Sequence, residues 1–105
     1  DPVVREAAPI AVFNGSKVVG AAQAEAEKLE AASYTIETYG NAPAGNYAHY
    51  TLYQIGSGNA GTAKKLQQKY GVKIKTGKPP VTVNGKVRFV LILGPEPKTT
   101  DKTAN

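Results

Sequence analysis

The chain has 105 residues, 41% of them hydrophobic, with no cysteine and one histidine, His49. That length supports one domain with a modest core, and the composition excludes disulfides, zinc ribbons, cysteine nucleophiles and any metal or triad site needing two imidazoles. The net charge of +5 is unevenly placed: residues 1–52 hold three bases against six acids, residues 53–105 hold ten against two, and eight cations run from Lys64 to Arg88 without an acid.

Taken in chain order, residues 1–8 show no periodicity and read as a linker ahead of a folded body at residues 9–94. Ile10, Ala11, Val12 and Phe13 form a continuous apolar run ended by Asn14-Gly15, the pattern of a central strand buried on both faces. Ser16 is placed to cap a helix over residues 17–32, in which Val18, Ala22, Ala26 and Leu29 recur at helical spacing and Glu25, Glu27, Lys28 and Glu30 face water. Residues 34–39 alternate as a half-buried strand, and residues 40–46, rich in Gly, Asn and Pro, are a loop.

The second half repeats this order. Residues 50–55 read as a strand, 56–58 as a turn, and 59–70 as a helix capped by Asn59 and stopped by Gly71. Residues 72–75 suit a short edge strand guarded by its lysines. Asn84-Gly85 between apolar runs predicts a hairpin of residues 81–83 with 86–93. The tail, residues 95–105, reads as disordered. The expectation is therefore an α+β fold, a split βαβ (β-α-β-β-α-β) two-layer sandwich of ferredoxin-like type with an extra C-terminal β-hairpin. If the strands at Ile10 and Tyr50 are parallel neighbours, the two strand-to-helix turns emerge side by side, where open α/β sheets place their ligands.

Those turns supply the candidate binding residues. Gly56-Ser57-Gly58-Asn59-Ala60-Gly61 satisfies G-x-G-x-x-G between a strand and a helix, but the acid expected about 20 residues later is missing, so a turn and helix cap, with Gly61 allowing close packing, outweighs a dinucleotide site. In the first turn Asn14 can hold the chain through its side chain, with Gly15 at positive φ. Asn14, Gly15, Ser16, Ser57, Gly58 and Asn59, supported by Lys64 and Lys65, form the candidate ligand surface, with Tyr39, Tyr47 and Tyr50 as an aromatic patch able to stack on sugars or bases. No pair of carboxylates converges on one bond: Glu27 and Glu30 form a solvated helix face, and His49 lacks an acid partner. No catalytic residue, metal site or cofactor is expected.

The ordered set Ile10-Ala11-Val12-Phe13-Asn14-Gly15-Ser16, Val19-Gly20-Ala21-Ala22, Ala32-Ser33-Tyr34-Thr35-Ile36 and Gly40-Asn41-Ala42-Pro43 resembles the LytR C-terminal domain family (LytR_C). Thr51-Leu52-Tyr53, Gly58-Asn59, Ala63-Lys64-Lys65-Leu66 and Leu93-Gly94 continue the resemblance, so that it spans residues 9–94. Departures are Phe13 for Leu, Ser33-Tyr34 for Gly-Phe, and the lysine-rich Asn-Gly segment. The resemblance implies an extracytoplasmic, bacterial cell-surface domain that follows the catalytic domain of LytR-CpsA-Psr cell-wall proteins or stands behind a membrane anchor outside this fragment. The catalytic arginines and aspartates of those proteins belong to the other domain, which leaves a non-enzymatic accessory module. Its expected partners are anionic cell-wall glycopolymer, peptidoglycan or another envelope protein. The alternatives are a protein–protein interaction module without a small ligand, and a ferredoxin-like nucleic-acid binder using the basic face at residues 64–88. The last lacks the aromatic strand motif of such binders.

Overall fold

The structure, a computed structural model, describes residues 1–96. In chain order it contains α1 (Pro2–Glu6), β1 (Pro9–Asn14), α2 (Ala21–Ala31), β2 (Thr35–Asn41), β3 (Tyr50–Gln54), α3 (Ala60–Tyr70) and β4 (Phe89–Leu93). The fold is α+β, with one mixed four-stranded sheet in the order β2-β1-β4-β3. β1 is central, parallel to both β2 and β4, while β3 runs antiparallel to β4.

One face of the sheet carries α2 and α3. Ile10, Val12, Leu52, Phe89 and Leu91 pack there against Ala22, Ala26 and Leu29 of α2 and Leu66 and Tyr70 of α3. The other face has no helix and is closed by loops: Ala11, Val90 and Ile92 lie under Tyr47, Val81, Val83 and Val87. Every residue of β4 is buried, as a strand covered on both faces requires. β2 carries a bulge: Ile10 pairs with Ile36 and Ala11 with Thr38, so Glu37 is the extra residue. The bulge lets Ile36 and Tyr39 both pair with residues of the helix-covered face, Ile10 and Val12.

Several expectations are corrected. β4 lies between β1 and β3, so the strands at Ile10 and Tyr50 are not neighbours, and β3 points opposite to β1. The two strand-to-helix turns therefore stand at opposite ends of the sheet. The C-terminal hairpin is absent. Both edges of β4 are taken by β1 and β3, which leaves residues 81–83 no strand to pair with, and Pro79 and Pro80 interrupt the approach. Asn84 still makes its turn, its Oδ1 accepting from Lys86 N at 2.8 Å, while Val81 and Val83 serve as cover for the sheet.

Residues 1–8, read as a linker, contain α1. Asp1 Oδ1 accepts from Val3 N at 2.9 Å, Pro2 opens the helix, and Val3 and Ala8 are buried. α2 begins at Ala21 rather than at residue 17, with Gly20 (φ 79°) at its N-cap. The 72–75 segment lies on the β3 edge but forms a single bridge at Lys75 rather than the expected strand: Lys75 N donates to Leu52 O at 2.8 Å and Gln54 N to Lys75 O at 3.0 Å. The tail expected to be disordered falls, from residue 97 on, outside the described residues.

Candidate functional site: a crevice at the strand ends

The turn after β1 is held by side chains. Asn14 Oδ1 accepts from Ser16 N (2.9 Å) and Ser16 Oγ (2.6 Å), Asn14 Nδ2 donates to Val18 O (2.8 Å), and Ser16 Oγ accepts from Val18 N (3.1 Å). Gly15 N donates to Leu93 O at 2.7 Å, tying the turn to the end of β4. Gly15 is not among the positive-φ residues, contrary to expectation. It is glycine because the Tyr47 ring lies against it, where an added Cβ would stand 2.5 Å from Tyr47 Cδ2. Tyr47 is fixed by its own hydroxyl, which donates to Pro43 O at 2.6 Å.

Between this turn, α2 and the start of β3 lies a crevice of about 270 Å³, outside the carboxyl ends of the parallel pair β1 and β4. Its polar groups are Ser16, Glu25, Lys28, His49 and Glu96, and its apolar wall includes Val18, Ala21, Ala24 and Leu93. The His49 ring centre lies 4.0 Å from that of Tyr50 at 36°, and Tyr50 lies 4.8 Å from Tyr70 at 56°, so tilted rings in contact run from the crevice wall into the core. Tyr70 donates to Glu25 Oε2 at 2.6 Å, which fixes the carboxylate. Burial, helped by that hydrogen bond, pushes the Tyr70 phenol far above its ordinary range. Gly94 closes the floor: its N donates to His49 O at 2.8 Å, and His49 Nδ1 lies 3.4 Å from Gly94 O.

The second turn is at the other end of the molecule and is already occupied. Asn59 stands at the N-cap position of α3 with φ 53° but its side chain makes no cap bond. The carboxylate of Glu6, from α1, does so instead: Oε2 accepts from Gly61 N (3.1 Å), and Oε1 accepts from Thr62 N (2.7 Å) and Thr62 Oγ1 (2.5 Å). Those bonds, the Thr62 hydroxyl first, hold the Glu6 carboxyl below its ordinary range. Gly61 is required for this contact, since a Cβ there would overlap Pro2. The protein's own anion thus fills the position that a G-x-G-x-x-G turn offers to a phosphate.

The candidate residues therefore separate. Ser16 and Tyr50 line the crevice, and Asn14 and Gly15 shape its rim. Ser57, Gly58, Asn59, Lys64 and Lys65 lie toward the opposite end, with both lysines exposed on α3. Tyr39, Tyr47 and Tyr50 do not form one patch. Tyr50 belongs to the helix-side core, Tyr47 covers the opposite face, and Tyr39 sits on the β2 edge, 48% exposed. Crevice residues that the sequence did not propose for binding are Lys28, His49 and Glu96; Val18, whose backbone is bonded to Asn14 and Ser16, is 64% exposed, and Val19 beside it 99%. The pair His49-Tyr50 at the mouth of a strand was the one available signal. Among the described residues no group of three His, Asp or Glu side chains could hold a metal ion, and no helix is long and apolar enough to cross a membrane.

A family model described as LytR cell envelope-related transcriptional attenuator, LytR_C, matches residues 7–96. The chain belongs to the LytR_C family. The solution structure of the C-terminal domain of RV0431 is similar in fold to this LytR_C domain, with a TM-score of 0.54 at 24% identity, covering 83% of this chain and 71% of that one. No curated protein matches the sequence. The family match begins at residue 7, so α1, which caps α3 of this LytR_C domain, precedes the matched region.

Proposed function

We propose that this LytR_C domain is a non-enzymatic accessory module that acts outside the cytoplasm, at the bacterial cell surface, and holds the sugar units of a wall glycan in the crevice between the 14–20 turn, α2 and His49-Tyr50. The observation that carries this reading is the crevice itself: aromatic faces beside hydroxyl, carboxylate and ammonium groups, set at the carboxyl ends of two parallel strands. Its charges, Glu25 and Glu96 against Lys28, are mixed, which suits an uncharged saccharide better than a polyanion. Anionic glycopolymer would instead meet the lysines of α3 and the 73–88 segment. A binding role is favoured over catalysis because Glu25 is engaged by Tyr70 and the crevice's imidazole is the chain's only one.

A partner-protein reading draws support from Val18 and Val19, since neighbouring exposed apolar side chains are characteristic of contact surfaces. Nucleic acid is disfavoured because loops cover the sheet face that such folds use for stacking bases. The test is co-sedimentation with peptidoglycan sacculi, with and without attached anionic glycopolymer, across a salt series. Binding to bare sacculi that resists salt and falls in His49→Ala and Lys28→Ala supports the crevice. Binding that needs the polymer and vanishes with salt transfers the role to the lysine face.

A further inference from the structure

The two edges of the sheet are treated differently. At β3 the 72–75 segment satisfies the edge, with Lys75 bonded to Leu52 and Gln54, and Val72 and Ile74 packed on the helix-side core. At β2, Thr35–Asn41 pairs with β1 alone, and among the described residues no other hydrogen bond reaches its backbone. Past the bulge at Glu37, residues 38–41 pair regularly with 11–14, so four residues present an undistorted outer edge. None of them is Lys or Pro, the residues that ordinarily blunt such an edge.

The flank of that edge is acidic. Glu27 and Glu30 of α2 line a groove with Ile36, Glu37 and Tyr39, and no lysine or arginine lines it; the Glu37 carboxylate accepts from Asn84 Nδ2 at 3.0 Å, which leaves Glu27 and Glu30, among the described residues, as its acids without a bond beyond α2. Lys28 itself lines the crevice on the other flank of α2. A strand added to β2 would place alternate side chains over this groove. Lysine or arginine fits there: the aliphatic stem can lie on the exposed Tyr39 ring while the charged head meets Glu27 and Glu30. We infer that the free β2 edge receives an extended segment of a partner protein bearing basic residues at alternate positions, bound as a fifth strand. This surface is separate from the crevice and does not rest on glycan binding there.

The probes are two octapeptides of equal charge, one alternating lysine with threonine and the other alternating lysine with proline, which lacks half of the backbone donors. Titrated into the isotopically labelled chain, the Lys/Thr peptide is expected to shift and protect amides of residues 35–41. Its affinity should fall about tenfold in the double variant Glu27→Lys/Glu30→Lys, whose side chains are exposed and whose fold is therefore retained. Equal binding of the Lys/Pro peptide would show charge attraction without strand pairing and overturn the proposal. Shifts confined to the crevice, or a concentration-dependent dimer that buries residues 35–41 without peptide, would overturn it as well.

Discussion

Replacing Gly94 by alanine tests the floor of the crevice and the top of the sheet together. A Cβ at Gly94 would overlap the carbonyl oxygen of Ala48, and the next nearest atoms, Ala48 C and Tyr47 O, would each stand 2.6 Å away. These are backbone atoms, so no rotamer change makes room, and the ends of β3 and β4 must part. Overpacking of this kind costs about 1–3 kcal/mol. Separation also lengthens the Gly94 N to His49 O bond, a further ~0.5–1.5 kcal/mol. The sum is about 1.5–4.5 kcal/mol, which for a domain of this size corresponds to a fall in Tm of at least about 6 °C. Thermal unfolding followed by circular dichroism measures it, with Gly85→Ala as the control, because a Cβ at Gly85 meets nothing within 4 Å. The control should stay within about 1 kcal/mol of the parent. An unchanged Tm for Gly94→Ala would refute the steric reasoning.

The Glu6 clamp gives a pH dependence. Its carboxyl pKa is lowered in the folded chain, so its contribution is complete above the ordinary carboxylate range and lost as pH falls through the lowered value. Amide shifts of Gly61 and Thr62 should titrate with a midpoint below the ordinary glutamate value, and Glu6→Gln should abolish that titration. Tyr70 acts at the other extreme: its folded pKa is raised above 10.0, so the unfolded chain loses the proton first and stability declines as pH rises past about 10. Denaturant midpoints should show that decline in the parent and a smaller one in Tyr70→Phe, which at neutral pH costs about 1 kcal/mol for the lost bond to Glu25. Val19→Ser should leave stability within about 0.5 kcal/mol, since its side chain touches solvent, yet should weaken capture of any protein partner that uses the 14–20 turn.

The strands were legible where burial writes a continuous apolar run. Ile10 to Phe13 and the segment ending at Leu93 announce β1 and β4, and the alternation of Tyr50, Leu52, Tyr53 and Ile55 across two faces agrees with their places in the two core clusters. Strand order was not legible, because nothing local to β4 says that it inserts between β1 and β3 and reverses the second unit. The start of α2 was misread because Val18 continues the helical period by chance, whereas its side chain is exposed and Gly20 opens the helix. α1 has five residues, too few to show a period, and its anchor is a contact with Thr62 across 56 positions. The same distance hides who caps α3. Asn59 has the right identity, but Glu6 has the right position. The crevice combines residues from 16 to 96, so only Ser16 and Tyr50 of it could be proposed from local patterns.

The central claim is that the crevice, rather than the G-x-G-x-x-G turn, carries the binding function. A titration of the labelled chain with soluble peptidoglycan fragments, followed by amide chemical shifts, tests it directly. The account predicts perturbations at Ser16, Val18, Lys28, His49 and Tyr50 that persist in salt. Perturbations confined to Ser57, Gly58, Asn59, Lys64 and Lys65, or none at saturating fragment, would contradict it.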